Sequence, residues 1–220
     1  MVKLKKISKN SKIYRYLKTA DPILFRIMKE VGEIQYICNE DPFESLIESI
    51  INQMLSNKAS AKISDRFINL CDNKVVPKQV ASLSLDEIHS IGISSKKAMY
   101  IKELADKLLV EPDYFLHLDQ LNDAEIVKRL TSINGIGKWT ADMFLIFVMD
   151  RPDILPVEDV AFYNSVCDAY NLDKPSQNEI QQLCSQWKPY SSTGARYLYR
   201  AHNMGILTKQ RNQKNEKSRT

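Results

Sequence analysis

Two short stretches concentrate the residue types that could do chemistry. In TSINGIGKWTADM, residues 131–143, Gly135 and Gly137 stand two apart and are followed at once by Lys138, Trp139 and Thr140. Glycine tolerates positive φ and leaves room for a second backbone to come close. A helix starting just after such a turn presents unpaired N–H groups and the positive end of its dipole, which together suit a phosphate oxygen. Lys138 and Thr140 can reach the same oxygen. In ILPVEDVAFYNSV, residues 154–166, Pro156 stops an incoming loop, and Glu158 and Asp159 are expected in the first turn of the next helix. A carboxylate there meets the free N–H groups of that turn. Taken singly, each stretch also fits plain structure: a tight connector between helices, and an ordinary acidic helix start.

The other chemistry-bearing residues exclude several classes. Cys38, Cys71, Cys167 and Cys184 are scattered, without CxxC pairs or the close spacing of a zinc or iron–sulfur site, and read as buried reduced thiols. His89, His117 and His202 are too far apart in sequence to suggest a ligand set. The start, MVKLKKISKNSKIYRYLK, has positive charge but lacks the apolar run of a secretory signal. The most apolar run, MFLIFVM at 143–149, is far shorter than the ~20 residues that span a bilayer. An intracellular protein without a membrane partner is expected, cytoplasmic and nucleoid-associated or nuclear according to the cell. Charge is uneven. Residues 1–18 carry +7 and residues 205–220 carry +4, so a chain of net charge +4 holds −7 in between. Basic ends suit a nucleic-acid backbone, and equally suit solvated tails.

Both stretches need helices to position them, and periodicity gives helix nearly everywhere. Phe43, Leu46, Ile47, Ile50, Ile51, Met54 and Leu55 recur at three and four, as do Ala98, Ile101, Ala105 and Leu108, and Ile126, Val127 and Leu130. Ser84 with Glu87, Asn122 with Glu125, and Ser176 with Glu179 have capping-box spacing. No alternating run is bounded by a hairpin dipeptide, so the predicted class is all-α. DRPDILP, residues 150–156, is the clearest break. It separates a helical domain over 41–149, with the glycine hairpin at 131–140, from a second helical domain built from 1–40 and 150–220. The basic end, 207–220, is predicted to be a disordered tail.

The order helix, INGIGKWTADMFLI, proline-rich loop, PVED resembles the helix-hairpin-helix DNA glycosylase superfamily, and within it the DNA-3-methyladenine glycosylase II type. DPILFRIMKEVG, FESLIESIINQMLSNKAS, IGISSKKAMYIKELADKL and WKPYSSTGARYLYR extend the likeness over nearly all of residues 21–204. The resemblance implies a DNA-binding cleft between the two helical domains, and double-stranded DNA with damaged bases as partner to a monomer. It puts the catalytic aspartate on Asp159, with Glu158 as second choice. Members that also cut the strand have a lysine where this chain has Trp139, which implies a monofunctional enzyme that removes alkylated purines of the 3-methyladenine and 7-methylguanine type. Met54, beside Gln53, falls where relatives carry an apolar wedge, although it also fits the helical stripe from Phe43. Trp139 and Tyr199 match pocket positions, and Met143 stands where one relative has tyrosine; Tyr199 fits a helix-face core position equally well. By the same resemblance Gly135, Gly137, Lys138 and Thr140 hold the DNA backbone. The backbone carbonyls of Thr131, Ile133 and Ile136 match positions that bind a monovalent cation, potassium or sodium, and the chemistry itself requires no cofactor. Excision of another damaged or mismatched base, and a non-catalytic hairpin module that only binds DNA, remain as alternatives.

Overall fold

A computed structural model describes residues 3–38, 41–55 and 57–207. The basic tail expected at 207–220 lies, from residue 208 onward, outside the described residues. The chain divides into two compact units, one formed by Asn39–Phe144 and the other by Met1–Cys38 together with Leu145–Thr220. Helices dominate both.

The chain enters with strand β1 (Lys3–Ile7), helices α1 (Lys12–Ala20) and α2 (Pro22–Val31), and strand β2 (Ile34–Cys38). The strands pair antiparallel, with Ile7 opposite Ile34 and Leu4 opposite Ile37. This small sheet is an addition to the all-helical expectation. Its strands are separated by two helices, so no hairpin turn marks it, and KLKKI alternates too poorly to signal a strand. Asp21 ends α1 and caps α2, its Oδ1 accepting from the N–H groups of Ile23 and Leu24, each at 2.9 Å. Pro22 opens α2, where a missing N–H costs nothing.

The Asn39–Phe144 unit contains α3 (Pro42–Asn52), α4 (Asn57–Leu70), α5 (Pro77–Ser82), α6 (Leu85–Ser90), α7 (Ser95–Val110), α8 (Asp123–Thr131) and the start of α9 (Lys138–Phe147). Its core gathers Leu46, Ile47, Ile50, Phe67, Ile101, Leu104, Leu130 and Phe144. The capping boxes at Ser84 and Asn122 form with both reciprocal hydrogen bonds, fixing where α6 and α8 begin. The stripe from Phe43 is buried through Ile51 and then stops, because α3 ends at Asn52.

The other unit is completed by α10 (Val160–Tyr170), α11 (Gln177–Cys184) and α12 (Ser191–Asn203), with the third capping box at Ser176 opening α11. Leu17, Leu24, Ile27, Met28, Phe162, Val166, Trp187, Tyr197 and Leu198 form its core. Gly194 lets α12 lie flat on Trp187, since a Cβ there would stand 2.4 Å from Cε3 of the indole. Among the described residues no helix is long and apolar enough to cross a membrane.

Candidate functional site

The glycine stretch folds as a tight turn between α8 and α9. Ile133 N–H bonds to Leu130 O at 3.0 Å and Ile136 N–H to Ile133 O at 3.1 Å, so the chain curls over its own buried isoleucines. Thr131 closes α8, its hydroxyl donating to Val127 O at 2.8 Å. The two glycines do different work. Gly135 has φ of +84°, and a Cβ there would lie 2.3 Å from Cδ2 of Tyr100, so backbone and packing both require glycine. Gly137 has no positive φ, and a Cβ would meet nothing within 4 Å. The fold itself does not need glycine at 137, and that position is exposed.

Lys138 is the first residue of α9. Its half-exposed ammonium pairs with Asp142 one turn on, whose side chain is only 5% exposed. Thr140 is 1% exposed, and its hydroxyl accepts from Gln53 Nε2 at 3.4 Å. The Thr140 hydroxyl therefore faces Gln53 within the fold, while its backbone lies in the first turn of α9. Trp139 and Met143 stand one turn apart on the same helix, both half-buried.

Beside the turn, α3 ends in an unusual way. Met54 has φ of +60° and is fully exposed. A left-handed backbone at a residue with a Cβ costs about 1–2 kcal/mol, and an exposed side chain returns nothing through burial. The stripe expectation for Met54 and Leu55 is thus corrected, since both leave the core face. Hydrogen bonds hold the turn instead. The Lys97 ammonium, near the start of α7, donates to Ile51 O at 2.9 Å and also to Gln53 O. The Gln53 side chain donates through Nε2 to Gly135 O at 2.9 Å, which commits that nitrogen to the glycine turn. Burial pulls the Lys97 ammonium below the usual lysine range. Met54, Lys96, Tyr100, Asn134, Gly137 and Trp139 line one groove of about 600 Å³ in this unit.

In the other unit, Asp159 is the N-cap of α10. The helix begins at Val160, at least two residues later than the expectation that put Glu158 and Asp159 in its first turn, because Oδ1 of Asp159 accepts from Phe162 N–H at 2.7 Å and its own backbone is extended. Glu158 lies before the cap and is exposed. The loop leading to Asp159 is pinned along its length. Asp150 takes Arg196 at 3.0 Å, the Tyr36 hydroxyl at 3.1 Å and Lys5; Ser192 N–H bonds to Pro152 O at 3.1 Å; Ile154 N–H bonds to Ser192 Oγ at 2.9 Å. Arg196 also lies 3.9 Å over the Tyr36 ring. Burial, reinforced by Asp150, pushes the Tyr36 phenol up to about 12. Tyr199 packs at 6.3 Å from Phe162 and 6.0 Å from Phe147. Phe162 thus joins the two predicted residues, giving its N–H to Asp159 and its ring to Tyr199.

Residues 47–189, more than half of the chain, match the family described as HhH-GPD superfamily base excision DNA repair protein. The chain belongs to this superfamily. The alkylbase DNA glycosidase-like protein mag2 of Schizosaccharomyces pombe is 28% identical over 192 residues, 84% of this chain and 90% of that protein. Among solved structures, DNA-3-methyladenine glycosidase from Bacillus halodurans superposes with a TM-score of 0.76 at 29% identity, covering 90% of this chain and 92% of that one. The Schizosaccharomyces pombe 3-methyladenine DNA glycosylase Mag1, in complex with abasic DNA, gives 0.78 at 26% identity over 88% and 97%.

Within this HhH-GPD chain, sequence reasoning missed the residues that shape the site from beneath. Lys97 and Tyr100 read only as parts of a helix, and their partners lie across the fold: carbonyls at 51 and 53, and the glycine at 135. Asp150 and Arg196 stand in the quoted stretches DRPDILP and WKPYSSTGARYLYR, but nothing in either gave them a role. Among the described residues no group of three or more His, Cys, Asp or Glu could hold a metal ion. Burial raises the Cys71 thiol to about 11 and the Cys184 thiol to about 12, which leaves both unreactive near neutrality.

Proposed function

We propose that this HhH-GPD chain is a monofunctional DNA glycosylase that extrudes alkylated purines of the 3-methyladenine and 7-methylguanine type from duplex DNA and hydrolyses their N-glycosidic bonds. The observation that carries the reading is Met54, an apolar side chain wholly in solvent on a left-handed backbone and tied through Gln53 to the glycine turn. An apolar wedge next to a phosphate-binding turn is the equipment for opening a base stack. The names of the relatives favour alkylated bases as substrate.

In this reading the amides that open α9, with Lys138, hold the strand, and the bare face of Gly137 lets a phosphate come close. Met54 fills the gap left by the extruded nucleotide, a step that costs less for a damaged base. Methylation at adenine N3 or guanine N7 leaves the base cationic, so an aromatic face, Trp139 in one unit or Tyr199 in the other, attracts it beyond ordinary stacking. The C1′–N bond then breaks, and its electron pair neutralises the base. The Asp159 carboxylate stabilises the positive charge growing on the sugar; a water oxygen bonds to C1′ and its proton passes to Asp159 or to solvent. Trp139 has no amine to form a Schiff base, so the product is an intact strand with an abasic site. The carbonyls of Thr131, Ile133 and Ile136 lie in one turn and are hard oxygen donors, which fits potassium or sodium. Such an ion would add positive charge beside the phosphate.

The experiment is a panel of duplexes bearing methylated, deaminated or oxidised bases, with released base measured chromatographically. Release of 3-methyladenine with no strand break before alkali treatment is expected. Binding to every duplex without release from any would instead support a DNA-binding module without catalysis.

A further inference from the structure

We infer that Lys97 is a positioning residue that sets the Met54 wedge before DNA arrives; the inference rests on the wedge role proposed above. Its ammonium bridges Ile51 O and Gln53 O, carbonyls at the end of α3, the second of which immediately precedes Met54. Carbonyls at a helix C-terminus lack intrahelical partners, and the dipole there is negative, so a cation is the group that best satisfies them. Gln53 extends the bracket in the other direction. Its backbone oxygen is held by Lys97 while its side-chain amide holds Gly135 O, in the turn whose φ is +84°. One ammonium therefore fixes the exit of α3, and through Gln53 the wedge shares a frame with the phosphate-binding turn.

The consequence is pre-organisation. Met54 gains nothing from burial in the free protein, so without the bracket its backbone relaxes out of the left-handed region and the wedge must be rebuilt at each encounter. Lys97 is basic and lines the same groove, so the competing role is a direct contact to a DNA phosphate. The two roles differ in what they do to selectivity. A phosphate contact strengthens binding to any duplex, whereas a wedge bracket strengthens binding only where a base is missing or displaced.

The test compares affinity for a duplex carrying an abasic-site analogue with affinity for the same duplex undamaged, for wild type, Lys97→Met, Met54→Ala and the double variant. Lys97→Met is expected to lower the abasic preference about tenfold with little change on undamaged DNA, and the double variant to lose no more than Met54→Ala alone. Equal loss on both duplexes, or additive losses in the double variant, would overturn the inference. Should Lys97→Met fail to fold, side-chain nitrogen NMR of the wild-type protein decides instead. Slow-exchanging Lys97 ammonium protons are expected in both free and DNA-bound protein, and a coupling from that nitrogen to phosphorus would refute the bracket. A wild type with no preference for the abasic duplex sinks the wedge reading and this inference together; a preference that survives Lys97→Met sinks only the inference.

Discussion

Asp159→Asn separates two jobs that one side chain performs. The carboxylate caps α10 through Oδ1 and Phe162 N–H at 2.7 Å, and in the proposed reaction it also faces a sugar that turns cationic. Asparagine keeps an oxygen for the cap and ranks with aspartate as an N-cap, so stability should change by only a few tenths of a kcal/mol. The charge is lost entirely. A unit charge about 4 Å from a developing cation, at an effective dielectric near 20, is worth about 4 kcal/mol. The asparagine dipole recovers part of this, which leaves a rate loss of roughly 10²–10³-fold. Asp159→Ala removes charge and cap together, costing about 1 kcal/mol more in stability and, for a chain of this size, lowering Tm by about 2–4 °C.

The assay is single-turnover release of 3-methyladenine with enzyme in excess over duplex, beside thermal melting of each variant. The expected pattern is that both variants lose rate, alanine by no more than about tenfold beyond asparagine, and only alanine loses stability. An asparagine variant within about tenfold of wild type would refute charge stabilisation at Asp159. An alanine variant far slower than asparagine would mean that cap geometry, and not charge, carries the effect.

Gly135→Ala should lower Tm measurably, because the new Cβ meets Tyr100 at 2.3 Å on a left-handed backbone, whereas Gly137→Ala should melt like wild type and lose affinity for duplex DNA by fluorescence anisotropy. Asp21→Ala should cost about 3–5 kcal/mol in urea unfolding, since it removes the cap of α2 and leaves the Tyr170 hydroxyl and Trp187 Nε1 without their buried acceptor. The raised Tyr36 phenol predicts an alkaline weakness. Between pH 10 and about 12 the unfolded chain has released a proton from this residue that the folded chain retains, so stability falls through that window; Tyr36→Phe should make the fall shallower, with the raised Tyr170 and Tyr197 phenols still contributing, followed by tyrosinate absorbance and melting.

What could be read from the sequence was local. The three capping boxes form at the stated residues, because their partners lie three positions apart and need nothing from the rest of the fold. The stripe from Phe43 was legible through Ile51, and failed at Met54 because periodicity cannot register that a helix stops one turn early. Asp159 was read as a first-turn residue, whereas it is the cap of α10. The sheet was invisible for the reason Lys97 was: β1 meets β2 across two helices, and Lys97 meets carbonyls more than forty residues away. A side chain whose partner is distant backbone leaves no pattern, since any residue can supply a carbonyl.

The state of Lys138 bears on how the turn would hold a phosphate. Its ammonium pairs with Asp142, and the two ends of the pair sit in different surroundings, the lysine half in water and the carboxylate almost wholly buried. A fully exposed pair contributes little, and a phosphate could replace its acid partner at small cost. Here the carboxylate end is shielded from water, so exchanging the lysine's partner for a phosphate costs more than in a fully exposed pair. In the proposed reading Lys138 stays beside Asp142 while it meets the phosphate. Its reach outward is short. In that reading the phosphate comes close to the backbone to meet Lys138 and the first amides of α9, an approach that an unobstructed Gly137 permits and a side chain at that position would block.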